Sequence, residues 1–209
     1  MRRVFDLICA ATGLILLSPL FAVVALAIKF EDYGAVMYSQ QRVGRYFRIF
    51  RLYKFRTMIP NADRAGLLTS PNDGRITRVG RWLRKTKFDE LPQLLNVIKG
   101  DMQLVGARPE LWRYVEMFRP QYEQILCDRP GLTDPATLVF SHEEEAFGTG
   151  DIEDQYVSKI LPRKLELSLA HSRQRTFIGD LGIIFRTLLK IYPNPSDSKT
   201  RHDADGFRL

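Results

Sequence analysis

A run of almost continuous apolar residues, from Val4 to Phe30, limits what this chain can fold into more than any other feature. The polar interruptions within it are Asp6, Thr12, Gly13, Ser18, Pro19 and Lys29. The run has about the length that a helix needs to cross the hydrocarbon core of a bilayer, roughly 20 apolar residues. We therefore expect residues 1–33 to form a membrane helix that precedes a folded body.

Three arrangements of this helix are considered, and one is disfavoured at once. A cleaved signal peptide is disfavoured because the apolar stretch is longer than a usual signal core. A spanning helix would have its basic residues on one side, yet Arg2 and Arg3 precede the run and further cations follow it. Proline breaks or kinks a helix, so Ser18-Pro19 near the middle favours a re-entrant helix, with the Ser18 hydroxyl as a partner for freed backbone groups. The residues alone leave the kinked spanning helix and the re-entrant helix both open.

The charge of the chain predicts an anionic partner. The formal net charge is +7 and the sequence pI is about 9.5, which suits nucleic acid, an anionic lipid face or phosphorylated substrates. Cys9 and Cys127 are the two cysteines, so neither a disulfide framework nor a zinc spacing is expected.

The middle of the chain alternates bulky and cationic residues from Val36 to Met58, which predicts two short strands or a hairpin with one basic face. Residues 59–74 are typical of a loop. Arg75 to Phe88 then has the spacing of a basic amphipathic helix with Trp82 on its apolar side. Such a helix either lies on a membrane surface or packs on a core, and the sequence pattern is compatible with both arrangements.

Two adjacent acids, Asp89 and Glu90, precede Pro92 at the expected start of a helix. They are either a helix cap and a dipole partner or a catalytic pair. A helix N-terminus beside a basic run favours phosphate, so we expect one carboxylate with a lowered pKa to attack phosphorus and its neighbour to hold Mg²⁺. Arg108, fixed before Pro109, is a weaker candidate for phosphate.

The rest of the chain predicts helices over Tyr156–Ala170 and Phe177–Tyr192, followed by a polar, disordered tail over residues 193–209. The fold class expected for the whole is α+β and mainly helical, with a small β-hairpin.

Three segments resemble the bacterial sugar transferases, in their small monotopic phosphoglycosyl transferase form. They are KFRTM from Lys54, RITRVGRWLRKTKFDELPQLLNVIKGDMQLVGARPE from Arg75, and RPGLT from Arg129. The resemblance implies a re-entrant membrane helix broken at Ser18-Pro19. It also implies amphipathic interfacial helices around a cytoplasmic-face active site, in a catalytic domain over residues 34–192 at the bacterial inner membrane.

The resemblance also implies a reaction, in which Asp89 attacks the β-phosphate of a UDP-sugar, releases UMP and holds the phosphosugar covalently. Undecaprenyl phosphate then accepts it, which makes the first membrane step of an O-antigen, capsule, exopolysaccharide or glycoprotein pathway. Glu90 is implied to bind Mg²⁺, and Lys54, Arg84 and Arg108 to meet phosphates. Asp180 matches a further acidic position without a settled role. The expected partners are the two substrates and membrane lipids, not nucleic acid; a homodimer is left open.

The chain departs from the family pattern at Ala107, Phe88 and Asp134-Pro135-Ala136. These departures lie beside the acidic pair and bear on substrate preference more than on reaction type. Two alternative functions remain: a membrane-anchored basic protein that binds nucleic acid, and a lipid phosphatase.

Overall fold

The computed structural model describes residues 2–62, 69, 73–141 and 150–191. The predicted tail over residues 193–209 and most of the predicted loop over 59–74 lie outside this part of the chain. The α-helices have the following bounds: α1 Arg2–Asp32, α2 Arg78–Thr86, α3 Gln93–Lys99, α4 Trp112–Met117, α5 Arg119–Ile125, α6 Pro135–Val139, α7 Ile152–Gln155, α8 Leu161–Arg173 and α9 Phe177–Ile191. The strands are β1 Met37–Val43, β2 Ile49–Phe55, β3 Gln103–Val105 and β4 Gly131–Thr133. The mainly helical fold class and the small hairpin are thereby confirmed.

Helix α1 runs without interruption from Arg2 to Asp32, with Pro19 inside it. Proline has no N–H to donate to the carbonyl of Ile15 one turn earlier. The Ser18 hydroxyl donates to that carbonyl instead, at 2.8 Å, which is the compensating role expected for it. The helical conformation therefore continues through Ser18-Pro19, where the sequence predicts a break or a kink, and the Ser18 hydroxyl satisfies the carbonyl that Pro19 leaves without a donor.

Both ends of α1 are bound to the rest of the protein. At its start, the Arg3 guanidinium donates to the carbonyls of Val97, at 2.7 Å, and Met102, at 3.2 Å, where α3 ends. At its other end, the Glu31 carboxylate accepts from the backbone N–H of Arg78, at 2.7 Å, where α2 begins. A cation at a helix C-terminus and an anion at a helix N-terminus both complement the helix dipole. Helix α1, which is long and apolar enough to cross a membrane, is thus attached at both ends to one folded body.

The hairpin holds α3 in place. Strands β1 and β2 pair antiparallel, with Met37 opposite Phe55 and Val43 opposite Ile49, as the alternating pattern predicted. The side chain of Asn96 in α3, which is fully buried, bonds to the open edge of β2. Its Oδ1 accepts from the Tyr53 N–H at 3.0 Å and its Nδ2 donates to the Arg51 carbonyl at 2.7 Å. The position of α3 is therefore fixed against β2.

Helix α2 packs closely on the segment that follows β2. Leu83 is fully buried and shares a hydrophobic cluster with Val24 and Ile28 of α1. Gly80 lies so near the backbone of Thr57 that a Cβ atom there would overlap the Thr57 carbonyl. Because Leu83 is buried in this way, the apolar side of α2 packs at least partly on the protein core.

The C-terminal half builds a second core, and α9 covers part of the protein beside it. Helices α4, α5 and α8, with the π-helical turn Tyr156–Ile160 that precedes α8, bury a cluster of large side chains: Tyr114, Tyr122, Ile125, Tyr156, Leu161 and Leu165. Strands β3 and β4 pair parallel, with Val105 opposite Thr133. Helix α9 buries Ile183 but leaves a long apolar side exposed, including Ile178, Phe185 and Leu188.

Candidate active site

The acidic pair lies in a tight turn between α2 and α3. Lys87 ends α2 in the left-handed region, with φ 58°, and its N–H donates to the carbonyls of Leu83 and Arg84. One 3₁₀ turn over Phe88–Glu90 follows, and Pro92 directly precedes α3. Proline suits this position because the first N–H groups of a helix have no partner within it. The turn places both acids just before the helix, close to where the sequence predicted its start.

Asp89 is a buried carboxyl group with an unsatisfied oxygen. Its side chain belongs to a residue that is 6% exposed, and Oδ1 has no hydrogen-bond partner in the described part of the chain. No side-chain bond caps α3, for which Pro92 occupies the N-cap position, so the structure does not support Asp89 as a helix cap. A polar atom buried in this way is costly unless something binds it, which makes Asp89 a candidate for contact with a ligand.

The pKa of Asp89 is raised, whereas the sequence predicted a lowered one. Burial is the largest cause, and the neighbouring Glu90 raises the pKa further, while Lys54 acts in the opposite direction. The prediction was wrong because it assumed an ordinary helix N-terminus that would donate to the carboxylate. The structure instead removes the carboxyl from water without giving Oδ1 a donor in return.

Glu90 has the opposite environment. Lys54 Nζ lies 3.0 Å from its Oε1, and Arg108 bonds to both carboxylate oxygens in a bidentate pair, with Nη1 at 2.9 Å from Oε2. Burial alone would raise the pKa of Glu90, but Arg108 and Lys54 outweigh it and hold the pKa well below its usual range. Neighbouring acids whose environments separate their pKa values are typical of catalytic pairs with distinct roles.

A cavity of about 450 Å³ joins the predicted site residues. Asp89, Glu90, Lys54, Arg84 and Arg108 all line it. Arg84 projects from α2, and its Nε donates to the Thr57 hydroxyl at 2.9 Å. The fold thus brings three cations from separate segments to one acidic pair, as a phosphate-binding site requires.

The remaining predicted residues lie elsewhere. Asp180, at the start of α9, pairs with Arg175 at 3.0 Å and His171 at 3.1 Å, and lies 3.9 Å from Arg2. These contacts connect α9 to α8 and to the first residues of α1. Ser18 and Pro19 lie within α1 and do not line the cavity either.

The structure also adds residues that sequence reasoning missed. Glu110 lines the cavity and bonds to Arg42, at 2.7 Å, and to the Tyr156 hydroxyl, at 2.8 Å. Burial opposes ionisation, yet Arg42 and Lys164 lower the pKa of Glu110. In the sequence, Arg42 and Glu110 look like separate solvated charges, and only the folded chain shows that they form a buried pair.

The acidic pair fits one mode of magnesium binding. In the ranges that the structure covers, no group of three or more His, Cys, Asp or Glu side chains could enclose a metal ion. Mg²⁺, however, is commonly bound through one or two carboxylates together with substrate phosphates. The Glu90 carboxylate, which lines the cavity next to Asp89, would supply one such ligand.

Comparison with known proteins identifies relatives along most of the chain. The model of one family, described as bacterial sugar transferase, matches residues 1–194. An undecaprenyl-phosphate glucose phosphotransferase from Komagataeibacter xylinus is 46% identical over 203 residues, covering 90% of this chain and 35% of the relative. A UDP-N-acetylgalactosamine-undecaprenyl-phosphate N-acetylgalactosaminephosphotransferase from Aeromonas hydrophila is 38% identical over 187 residues, covering 87% and 44%. A UDP-glucose:undecaprenyl-phosphate glucose-1-phosphate transferase from Escherichia coli K12 is 31% identical over 198 residues, covering 93% and 40%. The chain therefore spans less than half the length of each of these three.

Proposed function

This chain belongs to the bacterial sugar transferase family, and from that premise we propose that it transfers a sugar-1-phosphate from a UDP-sugar to undecaprenyl phosphate. The products are undecaprenyl-diphosphate-sugar and UMP. The observation that carries the proposal is the unpartnered Asp89 Oδ1 in a cavity that three cations also line. The names of the relatives support it, since they describe transfer to undecaprenyl phosphate of glucose or N-acetylgalactosamine.

In the first step, the Asp89 carboxylate attacks the β-phosphorus of the UDP-sugar. A bond forms between Asp89 and this phosphorus, and the bond from the phosphorus to the oxygen bridging it to the α-phosphate breaks. UMP leaves with the electron pair of that bond. Because Oδ1 has no hydrogen bond to give up, the attack does not cost an existing interaction of this atom.

In the second step, an oxygen of undecaprenyl phosphate attacks the same phosphorus. The bond to Asp89 breaks, which restores the carboxylate and leaves a diphosphate between the lipid and the sugar. Each step thus exchanges one phosphorus–oxygen bond for another and needs no oxidant or further reactant.

The cations support both steps by binding phosphate oxygens. Lys54 and Arg108 neutralise Glu90 in the structure, so they are already held at the cavity wall before a substrate arrives. Fixed cations of this kind stabilise the charge on a transferring phosphoryl group without having to reorganise. We assign Glu90 to hold Mg²⁺, which when bound would neutralise charge on the substrate diphosphate, while Asp89 acts as the nucleophile.

For the membrane topology, a re-entrant α1 on the cytoplasmic face of the bacterial inner membrane agrees best with the contacts. A straight helix of 31 residues would be about 46 Å long. If it crossed the bilayer, one of its bound ends would lie on the far side of a hydrocarbon core that is about 30 Å thick. Arg3 and Glu31 instead both bond to helices of one body, α3 and α2. The middle of α1 is nonetheless exposed, with Ile15 and Leu16 each 72% accessible, and lipid would cover it.

Helix α9 is proposed to lie at the surface of the same membrane. Its first residue, Phe177, packs edge-on against Phe5 of α1, with 5.3 Å between the ring centroids. The exposed Ile178 and Phe185 then continue an apolar surface away from α1. This arrangement would hold the cavity near the level of the phosphate of a lipid acceptor.

The experiment measures UMP release by the purified protein with Mg²⁺, undecaprenyl phosphate and a panel of UDP-sugars. We expect release that depends on the acceptor in the steady state, and a burst of about one UMP per enzyme without it. The burst should coincide with transfer of the labelled sugar phosphate onto wild-type protein but not onto Asp89→Ala. Free phosphate without UMP would favour a lipid phosphatase instead, and labelling of Asp89→Ala would refute the covalent step.

A second measurement tests the topology, using protease accessibility of tags placed at the two ends of α1 in inside-out and right-side-out vesicles. Cleavage of both tags from the cytoplasmic side supports the re-entrant helix. Cleavage of one tag from each side would show a spanning helix.

A further inference from the structure

Helix α2 has two sides of different character. One side faces the protein, where Gly80 and Leu83 are buried and Val79 packs against the cluster that contains Leu83. The opposite side, here named the outer face of α2, consists of four exposed residues: Arg78, Arg81, Trp82 and Lys85. These four are three or four positions apart, so they lie next to one another along the helix surface.

The cations of the outer face have no acidic partner among the residues that the structure describes. None of Arg78, Arg81 and Lys85 forms an ion pair within those residues. By contrast, Arg113 on α4 and Arg163 on α8 are also exposed, and each pairs with a glutamate. Like charges at helical spacing repel one another, so an anion bound against the outer face would stabilise it.

An aromatic residue lies among these cations. Trp82 is 48% exposed, and its ring packs edge-on against Phe88, with 5.5 Å between the ring centroids. Phe88 in turn packs against the cluster that contains Val24 and Ile28 of α1. An indole combines an apolar body with one N–H donor, which suits the boundary between hydrocarbon and lipid headgroups. Trp82 therefore extends the apolar surface beside α1 into a cationic one.

The position of α2 next to α1 indicates which anions would bind there. The backbone N–H of Arg78, at the start of α2, donates to Glu31 near the end of α1, at 2.7 Å. In the same half of α1, Val23, Leu26 and Phe30 are exposed, and lipid covers them under the proposed topology. A leaflet that contains anionic lipids attracts Lys and Arg close to its surface. Lipid headgroups are therefore the anions nearest to the outer face of α2.

We propose that the outer face of α2 binds the headgroups of anionic phospholipids, with Trp82 inserted between them. The inference rests on the proposed membrane topology and adds to it the class of lipid that the protein selects. The charged side of the helix makes this contact, because the apolar side is already buried against the protein. Lys85 also lines the cavity, so headgroups bound here lie beside the candidate active site.

The test uses tryptophan fluorescence, because the chain has two tryptophans, Trp82 and Trp112, and in Trp112→Phe the signal comes from Trp82 alone. The protein is placed in bilayers with equal amounts of phosphatidylglycerol and phosphatidylcholine, and the acyl chains of one lipid at a time carry bromine. Bromine quenches tryptophan on contact, so the two samples together give the relative binding of the two lipids at Trp82. We expect a preference for phosphatidylglycerol of about tenfold or more, which falls as salt is added.

Variants in the Trp112→Phe background test the role of charge. Arg81→Gln should lower the preference about fivefold, the effect expected of one cation at an anionic surface, whereas Arg81→Lys retains the charge and should retain the preference. The matched control is Arg163→Gln, which removes an exposed arginine from α8 and gives the same net charge as Arg81→Gln. This control should leave the preference unchanged. In Trp82→Phe, where Trp112 on α4 is the reporter, neither lipid should be preferred.

Two results would overturn the inference. Quenching of Trp82 by neither lipid would show that the outer face of α2 lies away from the bilayer. Equal quenching by both lipids would show that the face touches the bilayer without selecting lipids by charge. Because quenching is measured without a sugar donor, it tests the lipid preference separately from the proposed function, which UMP release tests.

Discussion

Replacing the catalytic candidate Asp89 by alanine should stabilise the protein while abolishing UMP release. Asp89 is buried, its Oδ1 lacks a donor in the described structure, and its pKa is raised, chiefly by burial. A raised pKa means that the folded state disfavours the ionised form, so at neutral pH this carboxylate opposes folding. Leaving a buried polar group unsatisfied costs about 1–3 kcal/mol, and the substitution removes that cost.

The alternative assignment of Asp89 predicts the opposite sign. If Asp89 capped α3, the change to alanine would cost about 0.5–2 kcal/mol. For a chain of this size, 1 kcal/mol corresponds to a shift of about 2–4 °C in the unfolding temperature. The two assignments of Asp89 therefore predict shifts of opposite sign in the unfolding temperature of Asp89→Ala, which differ by several degrees and are easily resolved.

The assay is thermal unfolding in detergent, with Asp134→Ala as the control. Asp134 caps α6 and accepts three hydrogen bonds, so its loss should lower the unfolding temperature. The gain in Asp89→Ala should shrink as the pH falls. The wild-type carboxyl protonates first in the folded state, and the penalty disappears once the pH is below the unfolded value of about 3.9. A loss of stability in Asp89→Ala as large as that in Asp134→Ala would refute this reasoning.

Three further outcomes follow from the geometry around the cavity. Arg108→Gln should lower the free energy of unfolding by about 2 kcal/mol and reduce UMP release, because it removes the bidentate partner of Glu90. Arg113→Gln, which removes the exposed ion pair with Glu153, should lower the free energy of unfolding by less than about 1 kcal/mol. Because the pKa of Glu90 is lowered, its ion pairs stabilise the folded state at pH values above its unfolded pKa of about 4.3. This stabilisation is lost as the pH falls through the lower pKa of the folded state. The free energy of unfolding, measured as a function of pH in acid, should show this loss for wild type but not for Glu90→Gln. Gly80→Ala should destabilise by about 1–3 kcal/mol, since its Cβ overlaps backbone, while Gly182→Ala, with open space around it, should be neutral or stabilising in the same thermal assay.

Local patterns in the sequence predicted the elements of this fold well. The alternation over Val36–Met58 gave the hairpin, and the spacing over Arg75–Phe88 gave α2. The predicted helix over Phe177–Tyr192 corresponds to α9, Phe177–Ile191. These predictions succeed because side-chain periodicity and turn residues act over a few positions of the chain.

The electrostatics of the site could not be predicted in the same way. The sign of the Asp89 pKa shift depends on burial by the surrounding body, and the lowered pKa of Glu90 depends on Lys54 and Arg108, which come from different segments. The pair of Arg42 and Glu110 is likewise separated by 68 residues. The sequence around a carboxylate does not show how deeply the fold will bury it or how many cations will surround it.

Pro19 shows a different limit. Its effect on backbone hydrogen bonding was predictable, yet the continuity of α1 depends on which neighbour takes the freed carbonyl, and here Ser18 does so locally. Local repair of this kind makes a proline a poor indicator of where a helix ends.

The attachment of α1 at both ends sets an order of events during synthesis. Arg3 finds its carbonyl partners 94 to 99 residues later in the chain, and Arg2 bonds to the carbonyl of Arg175, 173 residues away. While the ribosome is still making those partners, α1 is already an exposed apolar segment. Under the proposed membrane topology, the bilayer receives α1 before these bonds can form, so the folded body is assembled at the membrane surface.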